Sequence, residues 1–306
     1  MGIQLANGSG VVAGSRFEHV VFHTRARRSP CLDLSPSRDE FPPYEADPAL
    51  PTLDGAELAF IAWLFERAGM NHRSYRPETL RRRVSACLRA LRVDSLVKAR
   101  QLLVLDPGKI QVAIGAVVIG VTSFFRDAAV FHELATTVLP AISSVSSPLR
   151  IWSIGCSDGE EIYSVAMRLA EMNLLDGSQL LATDCRGPAI RRVRSGVYPA
   201  EVVRQVDPIL RDRYFELEEK SWRIVPRLRE AVQARVADVT AVREPGVFDL
   251  ILCRNMAMYL RSTVASQLWV ELEHSLRPGG FLVLGKAERP IGTRLVPVAP
   301  CIYRKN

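Results

Sequence analysis

From residue 147 to the end of the chain, short apolar runs alternate with segments of helical pattern. The runs are LRIWSIG, QLLATD, VQARVAD, FDLILCRN and GGFLVLG. Strands that alternate with helices favour a parallel α/β sheet, which binds ligands at the carboxyl ends of its strands. Between 214 and 236 the sequence YFELEEKSWRIVPRLREAVQARV instead predicts short strands in a small antiparallel insertion. We therefore expect an α/β domain over 141–306 with a β-subdomain at about 214–236.

The chain before this domain divides into two parts. Residues 1–52 mix Gly, Ser, Pro and charges of both signs without periodicity, which predicts a poorly ordered extension. From 53 to 140 the pattern is helical. A first helix is expected after Asp54, an N-cap with Glu57 three residues on, and a second from Pro77. These segments predict an all-helical N-terminal domain with a linker to the α/β domain.

Positive charge is concentrated in and around the second predicted helix. Nine basic and two acidic residues lie between 71 and 100, whereas the whole chain has a net charge of +7. Arg82, Arg89 and Arg92 line one face of the helix. Such a face prefers an anionic partner, an acidic protein or a nucleic acid, although a plain solvated face would have the same pattern. Proteins that bind single-stranded nucleic acid place aromatic side chains among their basic residues, and bases stack on them. Tyr75 alone could do so in this segment, so a nucleic-acid partner is disfavoured.

Composition excludes several other classes of protein. Hydrophobic residues form 48% of the 306 residues, enough for two ordinary domains, but no apolar run reaches the ~18–20 residues of a membrane span. The N-terminus has neither the basic start nor the apolar stretch of a secretory signal. Six cysteines without a CxxC pair and five scattered histidines argue against a disulfide framework and against a bound metal. We therefore expect a cytoplasmic protein without a metal site or membrane insertion.

The segment from Ile151 to Glu161, IWSIGCSDGEE, predicts a strand, a tight glycine turn and a helix start. Glycines there let the backbone approach a ligand beside the positive end of a helix. A dinucleotide site would need a third glycine that is absent. A nucleophile elbow at Ser157 would need a histidine on a later loop, but His274 stands within a predicted helix. An S-adenosylmethionine turn is supported by Asp184 after the second strand, since its carboxylate can accept both ribose hydroxyls.

Seven short motifs follow one another along the chain: TSFFRD (122–127), GCSDGEEIYS (155–164), ATD (182–184), SGVY (195–198), FDLILCRNMAMY (248–259), PGG (278–280) and GKAE (285–288). In the order and spacing of these motifs, the chain resembles the CheR family of chemotaxis-receptor methyltransferases from about Asp54 onward. The resemblance implies a Rossmann-like methyltransferase domain that depends on S-adenosylmethionine. It also implies a preceding helical domain that binds the protein partner.

The resemblance implies a set of site residues as well. The cofactor-binding positions would be Thr122, Arg126, Gly155, Ser157, Glu161, Asp184, Asp238, Val239, Arg254 and Asn255. Glu161 would hold the methionine end, Asp184 the ribose, and Asp238 the adenine. Arg126 and Tyr259 would be catalytic because they orient the acceptor. S-adenosyl-L-methionine is the expected cofactor, and S-adenosyl-L-homocysteine the product.

The implied reaction is esterification of glutamate side chains on an acidic helical protein such as a chemoreceptor. A glutamate carboxylate, with a reference pKa of about 4.3, is ionised at neutral pH and needs no general base to attack a methyl group. Alignment and electrostatics are then sufficient for catalysis. The implied partner surface includes Arg82, Arg89 and Arg92. The insertion lacks the Gly-rich loop of family members that bind a receptor's C-terminal pentapeptide, so we expect no such tethering, and a monomer.

Several positions depart from the family pattern. Gly120 stands where Asn is usual, Asp158 replaces a small hydroxyl residue, Cys185–Arg186 replaces an apolar–acidic pair, and Asp238 replaces Asn. The Asp158 carboxylate could repel the cofactor's own carboxylate or point into solvent. These departures support a second hypothesis, a non-catalytic or regulatory binding module that keeps the fold but has an altered cofactor site.

Overall fold

The computed structural model describes residues 55–118, 120–241, 244 and 246–306; the predictions for 1–52 and for Asp54 lie outside this part. The helices are α1 Gly55–Arg67, α2 Pro77–Leu91, α3 Leu96–Leu105, α4 Ile110–Val117, α5 Ala128–Glu133, α6 Leu139–Ser143, α7 Glu160–Glu171, α8 Gly187–Ser195, α9 Ala200–Val203, α10 Pro208–Tyr214, α11 Pro226–Ala231 and α12 Ser262–Ser275. The strands are β1 Arg150–Ile154, β2 Gln179–Asp184, β3 Val197–Pro199, β4 Phe215–Glu218, β5 Ser221–Ile224, β6 Val232–Val236, β7 Phe248–Cys253, β8 Leu276–Leu284, β9 Val296–Ala299 and β10 Ile302–Arg304. None of the helices in the described ranges is long and apolar enough to span a bilayer.

Seven strands form the main sheet, in the order β6-β2-β1-β7-β8-β10-β9. The first five are parallel, while β10 runs antiparallel to both β8 and β9. The strand order reverses between β1 and β7, and open α/β sheets bind their ligands at the carboxyl ends of the strands beside such a reversal. The predicted α/β, Rossmann-like class is confirmed.

The small antiparallel sheet differs in extent from the predicted 214–236 insertion. It consists of β3, β5 and β4, so it includes a strand from before residue 214. The prediction that the insertion extends to residue 236 is wrong, because β6 pairs in parallel with β2 and belongs to the main sheet. As an edge strand, β6 exposes much of its length, so its residue pattern does not show which sheet it joins.

Both faces of the main sheet are covered because successive side chains of each strand point to opposite sides. In β1, Ile151 belongs to the same core as the buried side chains of α7 and α8 on one face, whereas Trp152 and Ile154 contribute to the core on the other. That second core contains the buried side chains of α1 to α4 and of α12. The N-terminal helices therefore share their core with the sheet.

The predicted end of the helical domain near residue 140 also requires correction. Phe131 of α5 and Leu139 of α6 pack in the core with Ile151, on the sheet face opposite α1 to α4. The helices on the N-terminal side end at Val117, and α5 and α6 belong to the α/β domain. Helical periodicity shows that a segment has an apolar face, but not which surface that face covers.

The segment between α1 and α2 is fixed against the loop after β7. Tyr75 forms an isolated antiparallel bridge with Leu260, and the Arg76 N–H donates to the Tyr259 carbonyl at 2.9 Å. The Arg76 Nε donates to the Leu260 carbonyl at 2.8 Å. These bonds hold Tyr75 beside the carboxyl ends of the strands.

Candidate active site at the carboxyl end of the sheet

A cleft of about 1160 Å³, including its open mouth, lies at the carboxyl ends of β1, β2, β6 and β7. All the residues predicted for the site line it: Thr122, Arg126, Gly155, Ser157, Glu161, Asp184, Asp238, Val239, Arg254, Asn255 and Tyr259. The structure thus brings together residues from distant parts of the sequence, from Thr122 to Tyr259. Their individual roles remain predictions.

The turn after β1 depends on backbone conformations that glycine favours. Gly155 has a φ of +61°, and a Cβ there would lie 2.9 Å from Cγ of Met256. Gly159, with a φ of +98°, precedes the first residue of α7. Between them, Ser157 has a φ of +53° despite its side chain. Its N–H donates to Asp184 Oδ2 at 2.9 Å, which holds this otherwise unfavourable conformation.

Asp158 does not line the cleft. Its carboxylate accepts from Arg192 of α8 at 2.9 Å, and its backbone carbonyl accepts from the Tyr198 hydroxyl at 2.7 Å. The carboxylate thus faces neither the cleft nor open solvent alone, because it is partly buried in an ion pair with Arg192 outside the cleft. Repulsion of a cofactor carboxylate by Asp158 is not expected.

Asp184, at the end of β2, accepts four hydrogen bonds from the chain itself. Oδ1 accepts from the backbone N–H of Arg186 at 2.9 Å and from its Nε at 3.0 Å. Oδ2 accepts from the Ser157 N–H and, at 3.2 Å, from Nη2 of Arg186. The same Nη2 donates to Ser157 Oγ at 2.9 Å. The guanidinium thus lies inside the cleft, on the carboxylate predicted to hold the ribose.

Arg254 joins three parts of the site. Its Nη2 donates to Asp127 Oδ2 at 2.8 Å and to the Arg126 carbonyl at 2.9 Å, while Nη1 donates to Glu161 Oε2 at 3.1 Å. Glu161 Oε1 accepts from Ser153 Oγ at 2.7 Å. These bonds fix the Glu161 carboxylate and the linker before α5 in one arrangement.

The ionisation of Asp127 fits this arrangement. Although partial burial raises the pKa of Asp127, the Lys286 ammonium and the Arg254 guanidinium lower it below its usual value overall. Asp127 is therefore charged at neutral pH and pairs with both cations, Lys286 at 3.0 Å and Arg254 at 2.8 Å.

Glu288 organises the loop after β7, a role that we did not predict. Its buried carboxylate accepts from the backbone N–H groups of Gly285, Asn255, Met256 and Met258 at 2.8–3.2 Å. Asn255 is held with a φ of +57°. The motif GKAE contains Glu288, but spacing alone does not show that its carboxylate turns back onto the preceding loop.

Tyr75 lines the cleft and was not predicted from the sequence as a site residue. It is only 8% exposed and lines the cleft from the N-terminal helices. Burial raises the pKa of its hydroxyl well above the ordinary value, and Cys185, Asp238 and Asp184 raise it further. The Tyr75 hydroxyl is therefore protonated and uncharged at neutral pH, and the residue forms part of the cleft lining. No local signal identifies it, because its position depends on the bridge to Leu260.

The site contains one buried acceptor whose partner is missing among the described residues. Asp238 Oδ1 accepts from the N–H and the hydroxyl of Thr240 at 2.9 and 2.8 Å. Oδ2 is buried and has no hydrogen-bond partner in the part of the chain that the structure describes. A buried acceptor in this state favours a ligand donor. An adenine amino group is such a donor. The free oxygen of Asp238 therefore fits the adenine end of S-adenosylmethionine.

The nucleophile elbow considered for Ser157 is excluded by the position of His274. No histidine is present among the described residues that line the cleft. His274 lies in the last turn of α12 and lines a separate cavity with Trp152 and Leu268. Ser157 therefore lacks the adjacent base that activates a serine nucleophile.

Most of the α/β domain matches the sequence model of a known protein family. Residues 120–294 match the model described as "CheR methyltransferase, SAM binding domain". The chain belongs to the CheR methyltransferase family. S-adenosylmethionine is its cofactor, in agreement with the prediction from the motifs.

Similar proteins include chemotaxis methyltransferases. The CheR-family chain is 30% identical to "Chemotaxis protein methyltransferase 1" of Pseudomonas aeruginosa over 210 residues, covering 63% of this chain and 77% of that protein. It is 28% identical to "Chemotaxis protein methyltransferase" of Listeria monocytogenes, with 78% and 92% covered. It is also 30% identical to "Probable biofilm formation methyltransferase WspC" of Pseudomonas putida, with 60% and 45% covered.

The basic face of this CheR-family chain lies on α2. Arg82, Arg89 and Arg92 are exposed, and within the described ranges none of them forms an ion pair. The helix begins at Pro77 and buries Leu80, Val84, Cys87 and Leu91 on its opposite stripe. The three guanidinium groups are thus directed away from the core and are available to an anionic partner.

Proposed function

We propose that the chain methylates glutamate side chains of an acidic helical protein, such as a chemoreceptor, and produces glutamate methyl esters. The observation that supports this most is the set of titratable groups in the cleft. Asp184 and Glu161 are both bonded to arginines, Tyr75 stays neutral, and the described lining contains no histidine. Apart from Asp238, whose free oxygen is predicted to accept from the adenine amino group, the described lining has no histidine and no carboxylate without an arginine partner. The site therefore suits an acceptor that is already ionised, as a glutamate is at neutral pH.

In this proposal, S-adenosylmethionine supplies an electrophilic methyl group when bound, and the chain supplies alignment. Arg126 and Tyr259 both line the cleft and would orient the acceptor carboxylate. Arg126 donates from Nη1 to the Val121 carbonyl at 2.7 Å, so most of its five N–H donors remain for a carboxylate. Glu161 would hold the methionine end and Asp184 the ribose.

The proposed partner contact is between the arginine face of α2 and the acidic helices of the acceptor protein. The names of the relatives from Pseudomonas aeruginosa and Listeria monocytogenes support a chemotaxis receptor as that acceptor. In the small sheet, β4 and β5 are joined by Glu219 and Lys220 alone. The absence of a Gly-rich loop between these two strands supports our expectation that no C-terminal pentapeptide is tethered there. A cytoplasmic location and a monomeric state are part of the same proposal.

Transfer of a labelled methyl group tests this function. Purified protein would be incubated with methyl-labelled S-adenosylmethionine and a chemoreceptor cytoplasmic fragment. The expected product is label that base treatment releases as methanol, as a carboxyl ester requires. A receptor fragment with its acceptor glutamates replaced by glutamine should take up no label. Base-stable label on the receptor would contradict the proposal, because it would place the methyl group on nitrogen or a hydroxyl.

A binding module without catalysis is a second candidate, favoured by one observation. The four hydrogen bonds to Asp184 leave its carboxylate without free acceptors for a ribose. Calorimetric titration with S-adenosylhomocysteine distinguishes the two functions. Micromolar binding that is lost in an Asp184→Ala variant supports the enzyme, whereas no binding by the folded wild-type protein supports the module.

A further inference from the structure

The most unusual feature of the cleft is the placement of Arg186. The residue as a whole is only 9% exposed. Its Nε and Nη2 donate three hydrogen bonds to the side chains of Asp184 and Ser157. All these acceptors belong to the predicted cofactor site. Arg186 lines the cleft itself, so this cation lies within the site and does not cover the carboxylate from outside.

Gly120 provides the room for this guanidinium. A Cβ added at Gly120 would lie far inside van der Waals contact of Cζ and both Nη atoms of Arg186. Gly120 does not have a positive φ, so its backbone conformation is open to other residues. The missing side chain at 120 is therefore explained by Arg186 and not by the local backbone.

The hydrogen-bonding capacity of Asp184 decides what this pairing does. An ionised carboxylate has about four lone-pair sites, and all four are used by the Ser157 N–H and by Arg186. Two of them are used by the guanidinium itself. A ribose diol that needs two acceptors can bind only where the guanidinium has left.

We propose that Arg186 is an internal competitor of the cofactor. It neutralises Asp184 in the free protein and must swing away before the ribose of S-adenosylmethionine or S-adenosylhomocysteine can bind. Arg186 thereby lowers cofactor affinity and sets the concentration at which the site fills. This inference rests on the proposed role of Asp184 as the ribose acceptor.

The first test is calorimetric titration of wild type, Arg186→Ala and Asp184→Asn with S-adenosylhomocysteine. Removal of the guanidinium frees two acceptors, and a hydrogen bond to a charged group is strong enough to change affinity by about tenfold. We expect Arg186→Ala to bind at least about tenfold more tightly than wild type, and Asp184→Asn to bind more weakly. If Arg186→Ala binds equally well or more weakly while Asp184→Asn loses affinity, the competitor role is wrong but the ribose site stands. Absence of binding in wild type and Arg186→Ala alike would overturn both.

The second test measures the pairing of Gly120 with Arg186 without any cofactor. Gly120→Ala would displace a guanidinium that is held by three bonds, so it should lower the melting temperature of wild type by about 4 °C. In the Arg186→Ala background the same change should have almost no effect. Equal shifts in both backgrounds would mean that the guanidinium does not occupy this space.

Arg186→Gln provides a further variant should the alanine variant fail to fold. It keeps a polar side chain but removes the charge and most of the donors. The expected result is the same in direction, with tighter S-adenosylhomocysteine binding and a smaller effect of Gly120→Ala. Unchanged affinity in a folded Arg186→Gln protein would count against the competitor role.

Discussion

Glu160, the first residue of α7, should make the stability of the protein depend on pH near neutrality. It is 4% exposed, and its Oε2 is buried without a hydrogen-bond partner in the described ranges. Burial raises the pKa of Glu160 from 4.5 to about 7. The bond to its own backbone N–H opposes this shift, Asp158 adds to it, and Arg192 and Arg186 oppose it. The folded chain therefore binds a proton that the unfolded chain has already released.

The sign of the effect follows from this difference in bound protons. Between pH 4.5 and 7 the folded state holds the proton and the unfolded state does not, so stability falls as the pH rises and levels off above the folded pKa. Each unit of pKa difference corresponds to about 1.4 kcal/mol, which gives a total loss of about 3 kcal/mol. From pH 5 to pH 8 the loss should be about 2.5 kcal/mol.

Urea unfolding of wild type and Glu160→Gln at several pH values measures this loss. Glutamine keeps the shape of the side chain but does not ionise. The free energy of unfolding of the variant minus that of wild type should therefore be about 2.5 kcal/mol larger at pH 8 than at pH 5. For a slope of about 2.5 kcal/mol per molar urea, this corresponds to a midpoint shift of about 1 M. Any cost of burying the amide is constant with pH and cancels from the comparison.

Glu201→Gln is the matched control, since Glu201 is also in the first turn of a helix but is exposed. Its urea midpoints should follow those of wild type at every pH. The reasoning would be refuted if wild type and Glu160→Gln ran parallel from pH 5 to pH 8, because that would mean Glu160 ionises in the folded state as it does in water.

Three further predictions concern the partner face, the β7 loop and the adenine end. Replacement of Arg82, Arg89 and Arg92 by Ala should lower methylation of an acidic receptor fragment by about tenfold, with unchanged S-adenosylhomocysteine affinity by calorimetry; loss of both would show a structural role. Glu288→Gln should destabilise the protein by about 2 kcal/mol in urea unfolding, because four backbone N–H groups lose a charged acceptor. Wild type should bind S-inosylhomocysteine about tenfold more weakly than S-adenosylhomocysteine, and Asp238→Ala should bind the two alike, as competition titrations would show.

The residues around the cleft were predictable because parallel strands end on the same side of a sheet. Gly155, Asp184 and Arg254 follow three separate apolar runs in the sequence, and the order of the motifs places those runs in adjacent strands. Once the sheet is parallel, these residues must meet at one edge. The proximity of these residues is therefore a consequence of the strand pattern and of the order of the strands along the chain, and both can be predicted from the sequence.

The partition of the helices was not predictable for a physical reason. The apolar stripes of α4 and α5 are alike in character, yet α4 packs on the face with Trp152 and α5 on the face with Ile151. A stripe shows that a helix is amphipathic, and only the three-dimensional arrangement decides its contact surface. The same limit applies to Tyr75 and to the pairing of Gly120 with Arg186, which depend on contacts between distant segments.

The two carboxylates of the cleft differ in how much of their bonding capacity the chain uses. Glu161 accepts one bond from Ser153 and one from Arg254, and about two of its lone-pair sites remain. Asp184 accepts four bonds and has none left. In the proposed roles of the two residues, a ligand amine can join Glu161 without breaking a contact, whereas a ribose at Asp184 must replace part of an existing ion pair. For this reason the ribose end, and not the methionine end, should limit cofactor affinity, and changes at Arg186 should alter it more than changes at Ser153.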